Sequence, residues 1–505
     1  MEEKVIWKYQ ELLHNNISNY TRRLFGRISN NLKPEIFFIG IQSNINDSIY
    51  TKIDNSSIIT FPKQTYINTN LIRNIFILAN KLFTTTPNVQ DKKITQEPYK
   101  INLKNYMEKC IHKSLKEILY KSFQNSNQTL FLSYPVKINN YFTFAIIKFN
   151  TEEYLKYNSI SKNNMTISNS SKIIYKSYIE ALTEVLLEEI MEIFYKIQSD
   201  IYFDNIKTDI NQLLRNAGEL FINTTVPNII NKYNIDDKNE KLFEFCNYIS
   251  SLNYEGKKNT SNLIFSNPDN SNLNKIIKFS KPISMTDYRN VRKLLEISNE
   301  DFYMYSDTNY IYGIATIKNK DMHNENIFIV NFYDTYKWEL IYEKKTLMNV
   351  EYSFPFIKEK NLNKTMFVNS YNSIFKNSNP KILNLIWNYI ENLIEEKKGT
   401  ILLISNKASQ EACRLSKQAT LVNPTILNPD FIKKLSHIDG AILIDENSFC
   451  YAIGVILDGI ASENGNPSRG SRYNSAIKYI DMHYPEALAI IISDDGMIDI
   501  YPKIN

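Results

Sequence analysis

Residues 400–405 read Thr400-Ile401-Leu402-Leu403-Ile404-Ser405, a continuous uncharged run. A run this short, bounded by Gly399 and Asn406, reads as a strand buried on both faces. Its flanks decide the fold. Upstream, Ile382, Ile386, Trp387, Ile390 and Leu393 fall on one face of a helix. Pro380 suits the first turn, Asn379 is a candidate cap, and Gly399 is placed to end the helix in the left-handed conformation. Downstream, residues 408–418 read as a helix, and Asn428-Pro429 opens another. Residues 441–444 and 450–456 read as strands, 471–482 as a helix, and 488–492 and 497–501 as closing strands. Strands and helices alternating over short turns predict an α/β layer domain, a mixed central β-sheet flanked by helices.

Glycine concentrates in this region. Of 12 glycines, seven lie at or beyond Gly399. Glycine serves where backbone turns tightly or approaches a ligand, so a small-molecule site is expected here. Three elements can carry its chemistry. Asp439-Gly440-Ala441 places a carboxylate directly before a buried strand, where it can hold a divalent cation or orient a hydroxyl. Taken alone, it reads more simply as an Asp-Gly turn. Residues 464–474 (Asn-Gly-Asn-Pro-Ser-Arg-Gly-Ser-Arg-Tyr-Asn) form a turn-rich loop running into a helix. Helix N-terminal N–H groups favour phosphate oxygens, Arg469 and Arg472 add charge, and Ser471 can cap the helix or donate to a phosphate. A solvated loop explains this stretch as well. Ser493-Asp494-Asp495-Gly496, between two strands, reads as a hairpin turn or as a second carboxylate near a metal.

In order and spacing these elements resemble the diadenylate cyclase (DAC, or DisA-N-type) domain family, over about residues 383–501. Asp439-Gly440-Ala441 stands as the family's DGA motif, and Gly470-Ser471-Arg472 as the start of its GTRHR-like motif. Ser493-Asp494-Asp495 resembles its SEE element, and Leu457 holds the place of the apolar residue that contacts the base. The resemblance implies condensation of two ATP into cyclic di-AMP with release of two pyrophosphates, in the bacterial cytoplasm. It further implies a homodimer or higher homo-oligomer, because each domain holds one ATP and two sites must face each other. Asp439 and Arg472 would be catalytic. Gly440, Ala441, Leu457, Gly470, Ser471, Arg472, Tyr473, Asn474 and Ser475 would bind the nucleotide. Asp439 and Asp494 would hold Mg²⁺ or Mn²⁺. Where the family has His and Arg after the first Arg, this chain has Tyr473 and Asn474. The form Arg472-Tyr473-Asn474-Ser475-Ala476 fits a subgroup with long N-terminal sensor regions. Loss of that imidazole and charge leaves two other readings: a nucleotide-binding regulator without turnover, and a nucleotidyltransferase making another dinucleotide. Lys478 or Arg469 could restore the charge. His437, one residue further from Asp439 than the family's histidine, reads as structural rather than as a metal ligand.

The rest of the chain excludes more than it assigns. A length of 505 residues suggests about three domains. Composition and boundary signals divide it into an N-terminal α+β sensor region (1–165), a mainly helical region (166–275), a small β-rich region (276–375) and the C-terminal domain (376–505). The Ser/Asn-rich residues 158–171 and the polar residues 260–274 are the expected linkers. Strands are expected at 35–42, 141–149, 310–317 and 337–342, and helices at 71–83 and about 179–197. A net charge of +5 over this length is too weak to argue for a nucleic-acid partner. Four scattered cysteines without a CxxC suit a reducing compartment and exclude a Cys-rich zinc site. No signal-like start and no long apolar run appear, so a cytoplasmic protein without membrane contact is expected. Residues 1–375 show no P-loop, HExxH or GxSxG motif. His14, His112, His323 and His483 are isolated. Tyr303, Tyr305, Tyr310 and Tyr312 suit a strand better than a ligand pocket. By analogy of architecture, the N-terminal region would regulate the cyclase by sensing a ligand that the sequence does not identify.

Overall fold

The computed structural model describes residues 5–29, 31–42, 58–63, 67, 72–84, 97–123, 126–157, 160, 174–198, 208–230, 241–299, 301–318, 326–357, 364–375, 379–396, 398–459, 470–493 and 498–502. The chain divides into two compact units, Met1–Ile357 and Lys358–Asn505.

The first unit opens with α1 (Gln10–Gly26), β1 (Glu35–Gln42), β2 (Ile58–Phe61), α2 (Ile75–Thr84) and α3 (Glu97–Phe123). Then come β3 (Gln128–Leu132), β4 (Val136–Ile138), β5 (Tyr141–Asn150), α4 (Thr151–Leu155), α5 (Tyr178–Gln198), α6 (Ile210–Ile230) and α7 (Leu242–Ser251). The strands build a sheet in the order β2-β1-β5-β3, with β4 also paired to β5. Alternation along β1 explains why it is apolar throughout. Phe37, Ile39 and Ile41 pack with α2 and α3, while Ile36 and Phe38 pack with α1, α5 and α6.

A second sheet follows, made of β6 (Asn262–Ser266), β7 (Leu273–Ser284), β8 (Tyr303–Ser306), β9 (Tyr310–Ile317), β10 (Ile327–Asp334), β11 (Lys337–Tyr342), β12 (Lys345–Glu351) and β13 (Phe354–Phe356). Helix α8 (Tyr288–Leu295) lies between β7 and β8. Strand order is β13-β12-β11-β10-β6-β8-β9-β7. Only the β6–β8 pair among these is parallel. Trp338, Leu340, Val330 and Phe328 join α6, α7 and α8 in one core, and the Trp338 indole donates to Asn247 Oδ1 at 2.8 Å.

The second unit comprises α9 (Lys364–Ile374), α10 (Pro380–Glu395), β14 (Thr400–Ser405), α11 (Ala408–Arg414), β15 (Thr420–Ile426), α12 (Pro429–Leu435), β16 (Ala441–Ile444), β17 (Phe449–Val455), α13 (Ser471–His483), β18 (Ala487–Ile492) and β19 (Ile498–Tyr501). Its sheet runs β15-β17-β16-β14-β18-β19. β14 and β16 are parallel and the other pairs antiparallel, so the sheet is mixed as expected. Leu402, Ile404, Ile442, Ile444, Leu488 and Ile490 face α9, α10 and α12. Ile401, Leu403, Ala441, Leu443, Ala489 and Ile491 face α11 and α13. Covering both faces is what makes 400–405 uniformly apolar.

Four expectations change. The stretch 260–274 is no linker: Asn262–Ser266 is buried throughout, between β10 and β8. Its apolar triplet Leu263-Ile264-Phe265 outweighs the flanking asparagines. Helix α9 packs Phe367, Tyr371 and Phe375 into the C-terminal core, ahead of the expected boundary at 375/376. Helix α10 does begin at Asn379, whose side chain accepts from the Lys381 N–H at 3.0 Å, with Pro380 in the first turn. It ends on Glu396 in right-handed conformation, three residues before Gly399. Strand β15 was not expected: it is an exposed edge strand containing Pro424, a position where proline costs no ladder bond. Residues 158–159 and 161–171, the other expected linker, lie outside the described residues. No helix among the described residues is long and apolar enough to cross a membrane.

Candidate nucleotide site

Asp439 and Gly440 lead into β16, and β16 lies beside β17. Gly440 adopts φ +110°. A Cβ there would stand 2.5 Å from the Gly454 carbonyl carbon and 2.8 Å from the Val455 nitrogen. Gly454 has φ +62°, and its own Cβ would meet Ile438 Cγ2 at 2.9 Å. The two glycines let the Asp439 turn press against the end of β17. Neither position tolerates a side chain, both for backbone conformation and for space. Asp439 is thereby held out of the fold, its side chain 91% exposed.

Helix α13 brings the second element. Ala476, Tyr479 and Ile480 seat it on the sheet face that also buries Ala441. Its N-cap is Gly470, with no side-chain cap. Ser471 is therefore the first helical residue, exposed, rather than the cap. The N-terminal N–H groups of such a helix carry partial positive charge and suit an anion.

The two elements meet. Arg472 Nη2 donates to Asp439 Oδ1 at 3.4 Å. The carboxylate and the cationic helix start therefore share one edge of the sheet. A pair this long and this exposed contributes about 0–1 kcal/mol to stability.

The other expected residues are placed as follows. Ala441 is fully buried, so only its backbone can face a ligand. Leu457 is also buried, in the core between the sheet and α13. Tyr473 packs at the margin of that core. The Asn474 amide donates to the Gly470 carbonyl at 3.2 Å, and the Ser475 hydroxyl donates to the Arg472 carbonyl at 3.0 Å. Residues 460–469, including Arg469, and 494–497, including Asp494, lie outside the described residues. His437 Nε2 lies 2.7 Å from Glu396 Oε1, tying the turn after α12 to the end of α10. That accounts for His437 without a metal.

Beside this edge lies a network that sequence reasoning missed. Arg414, the last residue of α11, grips Asp458 with both terminal nitrogens: Nη1 to Oδ2 at 2.6 Å and Nη2 to Oδ1 at 2.8 Å. The same guanidinium donates to Glu411, from Nε at 3.1 Å and from Nη2 at 2.8 Å. Glu411 also accepts from the Tyr479 hydroxyl of α13 at 2.7 Å, and His483 Nε2 lies 3.4 Å away. Burial pushes the Glu411 carboxyl up, but Arg414 and Tyr479 outweigh it and hold it below its ordinary range. The Arg414 hydrogen bonds likewise hold Asp458 down, against its partial burial. Burial and the Glu411 contact push the Tyr479 hydroxyl far up, so it stays a donor. Arg414 and Asp458 are 44 residues apart. No local pattern announces their meeting.

Among the described residues no group of three or more His, Cys, Asp or Glu could hold a metal ion. Among the described residues, Asp439 offers an exposed carboxylate at this edge, a donor that a divalent cation could share with other oxygen ligands.

Residues 388–504 match the protein-family model "DisA bacterial checkpoint controller nucleotide-binding". Residues 6–222 match "Probable sensor domain DACNG" and residues 240–344 match "Probable sensor domain DACNH". Among solved structures, a double cysteine mutant of DacA from Staphylococcus aureus is similar at 14% identity. The match covers 25% of this chain and 88% of that one, with a TM-score of 0.21. No curated protein sequence matches the chain.

Proposed function

With residues 388–504 a domain of the diadenylate cyclase family, preceded by sensor-type regions, we propose that the chain condenses two ATP into cyclic di-AMP and two pyrophosphates. The observation that carries the proposal is the meeting of Asp439 and Arg472 at the uncapped start of α13. In each half-reaction the 3′-oxygen of one ATP bonds to the α-phosphorus of the other, and the bond to the β-phosphate bridging oxygen breaks. Pyrophosphate carries that electron pair away, and the hydroxyl proton passes to solvent. Arg472, the Ser471 hydroxyl and the first N–H groups of α13 would hold the triphosphate and the charge that builds on it. The Arg472–Asp439 contact is weak, so by itself it does little to keep Arg472 from a phosphate. Asp439 is then left to orient the attacking hydroxyl. A Mg²⁺ or Mn²⁺ ion held by Asp439 and phosphate oxygens would supply charge neutralisation, with Asp494 a further candidate ligand. Gly440 and Leu457 would border the nucleoside, both through their backbone, since the Leu457 side chain is buried. A homodimer presenting two such edges to each other would bring the two ATP together. The N-terminal regions would set that pairing in response to a ligand, in the cytoplasm.

A second reading has an observation of its own. Tyr473 packs at the core margin and the Asn474 amide bonds back to Gly470. Neither replaces the imidazole and the cation of the usual motif, which favours a nucleotide-binding regulator without turnover. One experiment separates the two: purified full-length protein incubated with ATP and Mn²⁺, read by mass spectrometry. Cyclic di-AMP supports the cyclase. Bound ATP without product supports the regulator, and another cyclic or linear dinucleotide identifies a different nucleotidyltransferase.

A further inference from the structure

The three residues after β17 and Ile456 are fixed from three sides. Leu457 is sunk in the core against α13. Asp458 is held by the two-pronged grip of Arg414. Gly459 lies directly on α13: a Cβ there would stand 2.7 Å from Lys478 Cβ and 2.8 Å from the Lys478 carbonyl carbon. Lys478 is six residues beyond Arg472, about 9 Å along the helix axis. Upstream, Gly454 at the end of β17 touches the Asp439 turn. The segment 454–459 thus touches the Asp439 turn at one end and α13 at the other.

Arg414 is the hub of that fixing. Its planar fork meets Asp458 on one side and Glu411 on the other, and Glu411 is bound in turn by Tyr479 of α13. Strand exit, α11 and α13 are locked through one guanidinium, and the geometry needs a planar group with several donors. A lysine ammonium brings the same charge but cannot hold two carboxylates in that plane.

We infer that Arg414 is a positioning residue for nucleotide binding: through Asp458 it holds Leu457 and Gly459 against α13, and through Glu411 and Tyr479 it holds α13 itself, so that Arg472 and the α13 N–H groups stand ready for the triphosphate. This rests on the cyclase reading for its substrate, but not on turnover. Holding α13 in place in advance removes part of the entropy that ATP binding would otherwise have to overcome.

The test uses the full-length chain with Arg414→Lys, Asp458→Asn and the double variant. All three are first checked for native circular dichroism and a cooperative melt. KM and kcat for ATP are measured, and affinity for a non-hydrolysable ATP analogue is measured by calorimetry. Each single variant is expected to raise KM and the analogue Kd about tenfold, with kcat changed less than about threefold. The double variant is expected to match Arg414→Lys, because the Asp458 contact is one of those that Arg414→Lys already removes. Unchanged KM and Kd in folded variants would overturn the inference, and so would effects that multiply in the double variant. A loss confined to melting temperature would reduce Arg414 to a structural role and overturn it too. A wild-type chain that binds the analogue without making product would sink the cyclase reading alone, since the calorimetric arm still decides about Arg414. A wild-type chain that binds no nucleotide overturns both.

Discussion

Two arginine–aspartate pairs among the described residues of the C-terminal unit join the same side chains and are built in opposite ways. At the start of α13, Arg472 reaches a carboxylate that is 91% exposed, through one contact at 3.4 Å. At the end of α11, Arg414 makes two contacts of 2.6 and 2.8 Å to Asp458 and is backed by Glu411, whose side chain is only 11% exposed. The first pair is cheap to break, so this contact does not keep its members from a ligand. The second is a charge-assisted fork, and losing its arginine would also leave the largely buried Glu411 without its guanidinium partner. A nucleotide site needs both kinds: groups that can let go of each other, standing on a frame that does not.

The sharpest way to break this comparison is Asp439→Asn. It removes the charge and keeps the volume. Cyclic di-AMP formation is expected to fall by at least about 10³-fold by mass spectrometry, while the urea midpoint stays at the wild-type value. Wild-type product yield from this variant would remove Asp439 from the mechanism. Next in size is Arg472→Ala. Calorimetric ATP affinity is expected to drop about tenfold or more, as loss of a charge-assisted contact to phosphate should produce. An unchanged affinity would take Arg472 out of the phosphate site. One residue along from the carboxylate, Gly440→Ala should show the reverse pattern to Asp439→Asn. Its φ of +110° and the 2.5 Å approach to Gly454 make an added methyl strain the turn. A stability loss of order 1–3 kcal/mol is expected in urea unfolding. A melt identical to wild type would mean that the two glycines are not pressed together.

The sequence made one side of this comparison legible and hid the other. Asp439-Gly440-Ala441 and Gly470-Ser471-Arg472 are local signals, because a turn glycine and a helix start leave marks on neighbouring residues. Their meeting could be expected only from the order of motifs. The Arg414 network leaves no such mark: its members come from α11, the segment after β17, and α13, and only the folded sheet assembles them. The same distinction runs through the fold. Residues 400–405 declare themselves because both faces are covered by apolar layers. Residues 262–266 do not, since Asn262 and the polar flank mask a strand whose burial comes from β8 and β10. Strand β15, exposed along most of its length and broken by Pro424, carries neither alternation nor an apolar run. Leu457 shows the limit of motif transfer: its place in the pattern was legible, but its burial against α13 was not.

The smallest effect separates the two pairs by acid. Asp458 and Glu411 both titrate below their ordinary values of 3.8 and 4.5, Asp458 because Arg414 bonds to the charged form, and Glu411 because Arg414 and Tyr479 outweigh its burial. A carboxyl whose folded pKa lies below its unfolded one stabilises the folded state above the unfolded value. That stabilisation fades as pH falls through the folded pKa. The sign is therefore a loss of stability on acidification, beginning near pH 4.5 and growing as pH falls further. Asp458 is 44% exposed, so solvent screening keeps its share modest. Urea midpoints of the full chain, followed from pH 6 to pH 3 through a probe in the C-terminal unit, should fall along this course. Asp458→Asn should flatten part of the fall and leave the part owed to Glu411. An acid profile identical in variant and wild type would show that the Arg414 fork does not hold in solution, and the distinction between a frame and a movable pair would go with it.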